Sequence, residues 1–122
     1  MVRKLTTLLL ALLLVAPALS AQRQIRLTVA FYNLENLFDT IDGENNDADF
    51  LPDGSNQWTM EKYQQKLHNM AYAISQIGGQ RGPDIIGLAE IENRGVLEDL
   101  LRQPELRDAG YQIVHFDSPD KR

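Results

Sequence analysis

Cysteine is absent from this chain of 122 residues. Its absence excludes a disulfide scaffold, a zinc site built on thiolates, an iron–sulfur cluster and a cysteine nucleophile. Positive charge is also scarce, because 12 Lys and Arg stand against 17 Asp and Glu and leave a net charge of −5. A protein that holds nucleic acid by bulk electrostatics needs a basic surface. Chemistry on a phosphate group would therefore require a metal cation between the two negative partners.

The longest apolar run lies at the start of the chain. Leu5 to Val15 is apolar apart from two threonines, and it is shorter than the roughly 20 residues that a membrane span requires. Arg3 and Lys4 precede the run, and Pro17 with small residues as far as Ala21 follows it. This order of positive, apolar and small residues is typical of a secretory signal peptide, the alternative being a membrane anchor.

The pattern predicts residues 1–21 as a signal peptide and residues 22–122 as the mature domain. Cleavage after Ser20 and cleavage after Ala21 both fit the small residues there. The expected location is secreted or periplasmic, without stable membrane association once the signal is removed. The lack of cysteine suits an oxidising compartment, because no thiol can mispair there.

Strand and helix patterns alternate along the mature domain. The stretch from Ile25 to Phe31 places apolar residues at every second position, which predicts a strand that ends near Asn33. An acidic, turn-rich stretch from Asp39 to Gln57 predicts a long surface loop. Thr59 can then cap a helix whose apolar residues recur at helical spacing from Tyr63 to Ile77.

The second half of the domain predicts two further strands and one further helix. Ile85 to Ala89 is a short, almost wholly apolar run, which predicts a strand buried on both faces. Val96 to Leu101 is a helix candidate that Asn93 can cap, and Tyr111 to Phe116 alternates like a third strand. The order strand, loop, helix, strand, helix, strand predicts an α/β layered fold.

Polar residues stand where two predicted strands end, which is where the functional groups of α/β folds gather. Asn33 and Glu35 follow the first strand, and Glu90 follows the apolar run of the second. A carboxylate at that position is costly to desolvate unless it binds a cation or hydrogen-bond donors. The alternatives are that Glu90 has left the sheet and is simply hydrated, and that Asn33 only caps a strand or forms a turn.

Three other residues have weaker claims to function. Trp58 could stack on a base, but core packing at the start of a helix is the preferred interpretation. Glu92 and Asn93 share a strand end with Glu90, and they are candidates to line the same site.

Two segments of the chain resemble the endonuclease/exonuclease/phosphatase family of metal-dependent phosphohydrolases. The first strand of that family ends in an aromatic-Asn-hydrophobic motif, which Tyr32-Asn33-Leu34 matches, and an acidic residue two positions later, which Glu35 matches. A later apolar strand of the family ends in a metal-binding Glu, which Glu90 matches, although Ala89 stands where Gln is frequent. The resemblance covers residues 27–118, and the pattern between Phe38 and Leu67 is similar to the secreted bacterial branch.

The resemblance implies a fold, a cofactor and a reaction. The fold would be the N-terminal part of a layered α/β sandwich. The cofactor would be Mg²⁺, with Mn²⁺ or Ca²⁺ as alternatives, held by Glu90 and Glu35, since one or two carboxylates suffice for magnesium. Asn33 would be the catalytic residue, donating to a phosphate oxygen or placing a carboxylate. The expected substrate is a phosphodiester, with nucleic acid as the first choice, and the expected enzyme is an endonuclease or another phosphodiesterase.

Two alternatives stay open. An inositol phosphate or a phospholipid head group could be the substrate of the same fold. A non-catalytic, truncated product is the alternative of another class, because the family's later His or Tyr, Asp/Asn pair and near-terminal Asp-His have no counterpart before Arg122. His68 and His115 match none of those positions. The resemblance thus implies the N-terminal portion of the family domain and leaves open whether this chain is itself an enzyme.

Overall fold

The computed structural model of the protein describes residues 25–79 and 81–119. Two strands and two α-helices form the described part, together with a short 3-10 helix, and their mixture confirms the predicted α/β class. In chain order these elements are β1 (Val29–Leu37), the 3-10 helix (Ala48–Phe50), α1 (Met60–Ser75), β2 (Ile85–Ile91) and α2 (Arg94–Leu101). The predicted signal peptide lies outside the described residues, among which no helix is long and apolar enough to cross a membrane.

β1 and β2 are parallel neighbours in a two-stranded sheet. The ladder runs in register from Val29 beside Ile85 to Asn33 beside Ala89. It is then interrupted, and it resumes where Leu37 lies beside Ile91. Parallel strands need a crossover between them, and α1 supplies it. The register therefore brings the ends of both strands to one edge of the sheet.

Side chains at the start of each α-helix cap its first turn, as the sequence predicts. The Thr59 hydroxyl accepts a hydrogen bond from the Lys62 amide at 3.4 Å, and the Asn93 side chain accepts one from the Val96 amide at 3.1 Å. Such caps satisfy backbone N–H groups that have no partner inside the helix. α1 ends at Ser75, slightly before the end of its predicted apolar stripe at Ile77.

One contiguous core joins β1 to both α-helices. Its members are fully or almost fully buried, and they come from β1, α1, α2 and the turn that follows α2. They are Leu34, Leu37, Tyr63, Leu67, Ala71, Ile74, Val96, Leu100 and Leu106. The apolar stripe predicted for α1 thus faces the core, which fixes the side of the sheet on which the helix lies.

Three strand predictions need correction. β2 is not buried on both faces, because Ile85 is 58% exposed, on the side of the sheet opposite the helices. β1 begins at Val29 rather than Ile25 and continues past Asn33 to Leu37. No strand forms at residues 111–116 in the described part of the chain. An alternating pattern supplies side chains for two faces, but a strand also needs a neighbour for its backbone hydrogen bonds.

The segment between β1 and α1 is mostly an exposed loop, as predicted, but it is anchored at a few points. Phe50 stacks on Phe38 with 4.3 Å between ring centroids. Asp47 is buried and accepts a hydrogen bond from the Gly43 amide at 2.8 Å. The acidic composition predicted exposure, but two aromatic side chains and one buried carboxylate hold this segment against the end of the sheet.

Candidate functional site

The residues selected at the two strand ends lie together in the structure. The Asn33 side-chain amide donates a hydrogen bond to Glu90 Oε1 at 2.8 Å. The cause is the register, because Asn33 lies beside Ala89 and parallel strands bring their carboxyl ends to the same edge. Glu90 belongs to β2 and is exposed. It lies between the paired residues Ala89 and Ile91 but has no partner of its own in the ladder, so its side chain is held by the hydrogen bond from Asn33 rather than by burial.

The backbone at this edge adopts an uncommon conformation. Glu35, Asn36 and Glu90 have φ angles of 51°, 60° and 59°. Residues other than glycine pay about 1–3 kcal/mol for such a conformation, which clusters at functional sites. The first two lie within the interruption of the ladder between Asn33 and Leu37. The interruption turns Glu35 away from regular strand geometry.

Asn33 also stabilises the left-handed turn at Glu35 and Asn36. Its side-chain oxygen accepts a hydrogen bond from the Glu35 amide at 2.7 Å, while its side-chain nitrogen donates to Glu90. The Asn33 side chain is therefore bonded to both candidate metal ligands, to the backbone of Glu35 and to the carboxylate of Glu90. The sequence left a turn-forming role and a functional role open for Asn33, and the structure shows the turn-forming contact together with the contact to Glu90.

Lys66, on α1, also contacts this edge, although the sequence named it only as part of the pattern that resembles the secreted bacterial branch and gave it no role in the site. Its ammonium donates hydrogen bonds to the carbonyl oxygens of Glu35 at 2.5 Å and Asn36 at 3.0 Å. Burial lowers the pKa of Lys66, and the nearby carboxylates of Glu35 and Glu90 act in the opposite direction. The sequence carries one signal for such a contact, because Lys66 lies three residues after Tyr63, at the border of the apolar stripe of α1.

Trp58 supports the same edge. Its indole N–H donates to the carbonyl oxygen of Phe38 at 3.0 Å, and Phe50 packs edge-to-face on its ring at 6.3 Å between centroids. The Lys66 ammonium lies 5.6 Å from the centroid of the Trp58 ring. These contacts give Trp58 a packing role at the start of α1, which is the interpretation that the sequence favoured.

Glu92 and Asn93 bind the loop after β1 rather than Glu90. Glu92 accepts hydrogen bonds from the Asp39 amide at 2.8 Å and from the Asn45 side chain at 3.1 Å. Burial raises the pKa of Glu92, and these two hydrogen bonds oppose that shift. Asn93 donates to a carboxylate oxygen of Asp39 at 3.3 Å. Both residues thus stabilise the strand end next to the site.

The donor set at the sheet edge suits a hard divalent cation. Glu90 and Glu35 are exposed carboxylates, and their oxygens are the ligands that Mg²⁺ prefers. No group of three or more His, Asp or Glu side chains in the described residues could hold a metal by itself. A cation here would therefore keep several water ligands, as magnesium usually does. These residues fit Mg²⁺ or Mn²⁺ bound through one or two carboxylates.

The two histidines make contacts elsewhere. His68 Nδ1 lies 3.1 Å from Glu105 Oε1, and His115 Nδ1 lies 3.9 Å from Asp117 Oδ1. These carboxylate neighbours are on the turn after α2 and in the following segment, not at the strand ends. These contacts give His68 and His115 carboxylate neighbours other than Glu90.

The chain is similar to one known family of proteins. The family model described as the endonuclease/exonuclease/phosphatase family matches residues 28–122. The matched range contains both strands, both α-helices and every residue of the candidate site. Proteins of this family act on phosphoester substrates and generally use divalent metals. None of the curated proteins and none of the solved structures with which the chain was compared gives a match.

Proposed function

This chain belongs to the endonuclease/exonuclease/phosphatase family, and we propose that it serves as an exported, metal-dependent phosphodiesterase that acts on nucleic acid. The observation that supports the proposal most directly is the contact between Asn33 and Glu90. It is 2.8 Å long, and it joins the ends of two parallel strands. A carboxylate fixed in this way can present an oxygen to a cation without first losing conformational freedom.

Each residue of the site has a definite part in this proposal. Glu90 and Glu35 would hold the cation. A bound Mg²⁺ would polarise a phosphoryl oxygen and stabilise charge on the leaving oxygen. Asn33 orients Glu90 with one amide hydrogen, and an asparagine amide has a second hydrogen for a phosphate oxygen. The proposal assigns the activation of water to neither histidine, because their carboxylate neighbours are Glu105 and Asp117.

The preference for nucleic acid rests on the family resemblance. Asn33, Glu35 and Glu90 are exposed, which leaves them accessible to the phosphate of a polymer as well as to that of a small head group. Nucleic acid is placed ahead of an inositol phosphate or a phospholipid head group because the two strand ends resemble those of the nucleases in the family.

Hydrolysis assays test the proposed activity. We expect the purified protein to cleave plasmid DNA and bis(p-nitrophenyl) phosphate with Mg²⁺, to lose both activities in EDTA, and to regain them when Mg²⁺ is returned. An inositol polyphosphate and a phospholipid serve as parallel substrates. Release of phosphate from either, with intact plasmid DNA, would contradict nucleic acid as the substrate. Binding of Mn²⁺ without hydrolysis of any of the four would instead support a non-catalytic product.

Export is a separate part of the proposal, supported by the order of charged, apolar and small residues at the start of the sequence. We expect the exported protein to begin at Ala21 or Gln22, which N-terminal sequencing or intact mass measurement would determine. An exported product that keeps Met1 and remains in the membrane fraction would indicate an anchor. The matched control is a variant with two Asp residues within Leu8–Leu14, which should stay unprocessed because the apolar region is interrupted.

A further inference from the structure

We propose that Lys66 is a positioning residue for the cation site, because its ammonium group fixes the left-handed turn that carries Glu35. The inference rests on the proposed function, since it concerns how the carboxylates that would bind the cation are held. It goes beyond that function because Lys66 lies on a helix, far in sequence from both strand ends.

The ammonium of Lys66 bonds to two consecutive carbonyl groups, those of Glu35 and Asn36. Both carbonyls lie where the ladder between β1 and β2 is interrupted. A lysine ammonium has three donor hydrogens and no acceptor, so it can serve two carbonyls at once. Lys66 therefore supplies hydrogen bonds in the one stretch of β1 where the register with β2 is lost.

The turn itself needs such support. Glu35 and Asn36 both have positive φ angles, of 51° and 60°, and a conformation of this kind persists only where the surroundings enforce it. The Glu35 amide is bonded to Asn33, and the Glu35 carbonyl is bonded to Lys66. Both polar backbone groups of Glu35 are thus held by side chains, and one of those side chains also holds Glu90.

Trp58 also contacts the ammonium group of Lys66. The ammonium lies 5.6 Å from the centroid of the Trp58 ring, within the range of a cation–π contact. Trp58 in turn donates to the carbonyl oxygen of Phe38. Trp58, just before α1, and Lys66, on α1, therefore bind the carbonyls of residues 35, 36 and 38 between them.

Because Lys66 is positively charged, a positioning role can be distinguished from a direct electrostatic effect on the cation. A positive group near Glu35 and Glu90 repels a divalent cation, so an electrostatic effect alone would make the cation bind more tightly once the lysine is removed. A positioning effect has the opposite sign, because a loose turn no longer fixes Glu35 and the Asn33 side chain that is bonded to both Glu35 and Glu90. The direction of the change in affinity thus separates the two roles.

Binding of Mn²⁺ to the full chain, followed by electron paramagnetic resonance, is the experiment. We expect K66M to bind Mn²⁺ about 10-fold more weakly than the wild type, which is the usual size of an effect on residues that orient ligands. The matched control is K62M, because Lys62 lies on the same helix and its ammonium donates only to the Asn56 carbonyl, at 3.0 Å, outside the site. K62M should bind Mn²⁺ like the wild type.

Hydrogen exchange in the absence of metal is the second readout. We expect the peptide that contains Glu35 and Asn36 to exchange faster in K66M and at the wild-type rate in K62M. Unchanged exchange in K66M, or Mn²⁺ binding as tight as in the wild type or tighter, would overturn the positioning role. If K66M does not fold, K66Q replaces it in both measurements with the same expected directions.

Parallel measurement of E90Q separates the two proposals. If E90Q binds Mn²⁺ as tightly as the wild type, the proposed cation site is wrong. The exchange rates of K66M then still decide whether Lys66 holds the turn at Glu35. If E90Q fails to bind Mn²⁺ and K66M binds it normally, the cation site stands and only the role of Lys66 is refuted.

Discussion

Glu90→Gln should lower metal-dependent hydrolysis by about 100-fold or more while leaving the fold intact, since metal stabilisation of charge contributes several kcal/mol and each 1.36 kcal/mol is a factor of ten in rate. Glutamine keeps the shape of the side chain, and its carbonyl oxygen can still accept the hydrogen bond from Asn33. Only the negative charge is lost. The change therefore tests Glu90 as a metal ligand rather than as a support of the strand end.

Two measurements decide the outcome for Glu90. Turnover of bis(p-nitrophenyl) phosphate at several Mg²⁺ concentrations reports on the reaction, and thermal unfolding without metal reports on the fold. Glu98→Gln is the matched control, because Glu98 forms exposed ion pairs with Arg94 and Arg102 on α2, and such pairs contribute about 0–1 kcal/mol. Turnover of the Glu90 variant close to that of the control would mean that Glu90 is a hydrated strand end.

Leu67→Ala should lower the free energy of unfolding by about 2–5 kcal/mol, the range for removing a large buried aliphatic side chain. Leu67 is 0% exposed and lies in the middle of α1, inside the core shared by β1 and α2. The loss combines the transfer of the removed carbons to water with the cavity that remains. For a domain whose total stability is about 5–15 kcal/mol, a loss of this size is a large fraction.

Urea-induced unfolding of the wild type, of Leu67→Ala and of a control variant measures this effect. Met60→Ala is the matched control, because Met60 begins the same helix, loses the same number of heavy atoms when it is replaced by alanine, and is 53% exposed. The control should unfold at nearly the same urea concentration as the wild type. A loss below about 1 kcal/mol in Leu67→Ala, the size expected of a surface change, would contradict the packing of α1 on the sheet.

Local patterns in the sequence determined most of the elements. The apolar stripe of α1 and the capping residues Thr59 and Asn93 follow from rules that act within one or two turns of a helix. The apolar run at Ile85 predicted β2 for a similar reason. The pattern at the strand ends pointed to Asn33 and Glu90 but left a hydrated or turn-forming role open for each, and the resemblance to the family made them the candidates.

Contacts between residues that are far apart in the sequence decided the features that the local patterns did not predict. The ends of β1 and the exposure of Ile85 depend on which face of the sheet receives the helices, and no periodicity within a strand states this. The segment from Tyr111 to Phe116 has the alternation of a strand, but pairing requires a neighbouring backbone.

The detailed geometry of the candidate site is also a property of the tertiary structure. The hydrogen bond from Asn33 to Glu90 spans 57 positions, and those from Lys66 to Glu35 and Asn36 span 31 and 30. The left-handed turn at Glu35 contains no glycine, so the sequence gives no local signal for it. The sequence by itself selected the candidate residues, through its resemblance to the family, whereas the packing of α1 on the sheet decided how they are held, because strained backbone is stable only where remote groups enforce it.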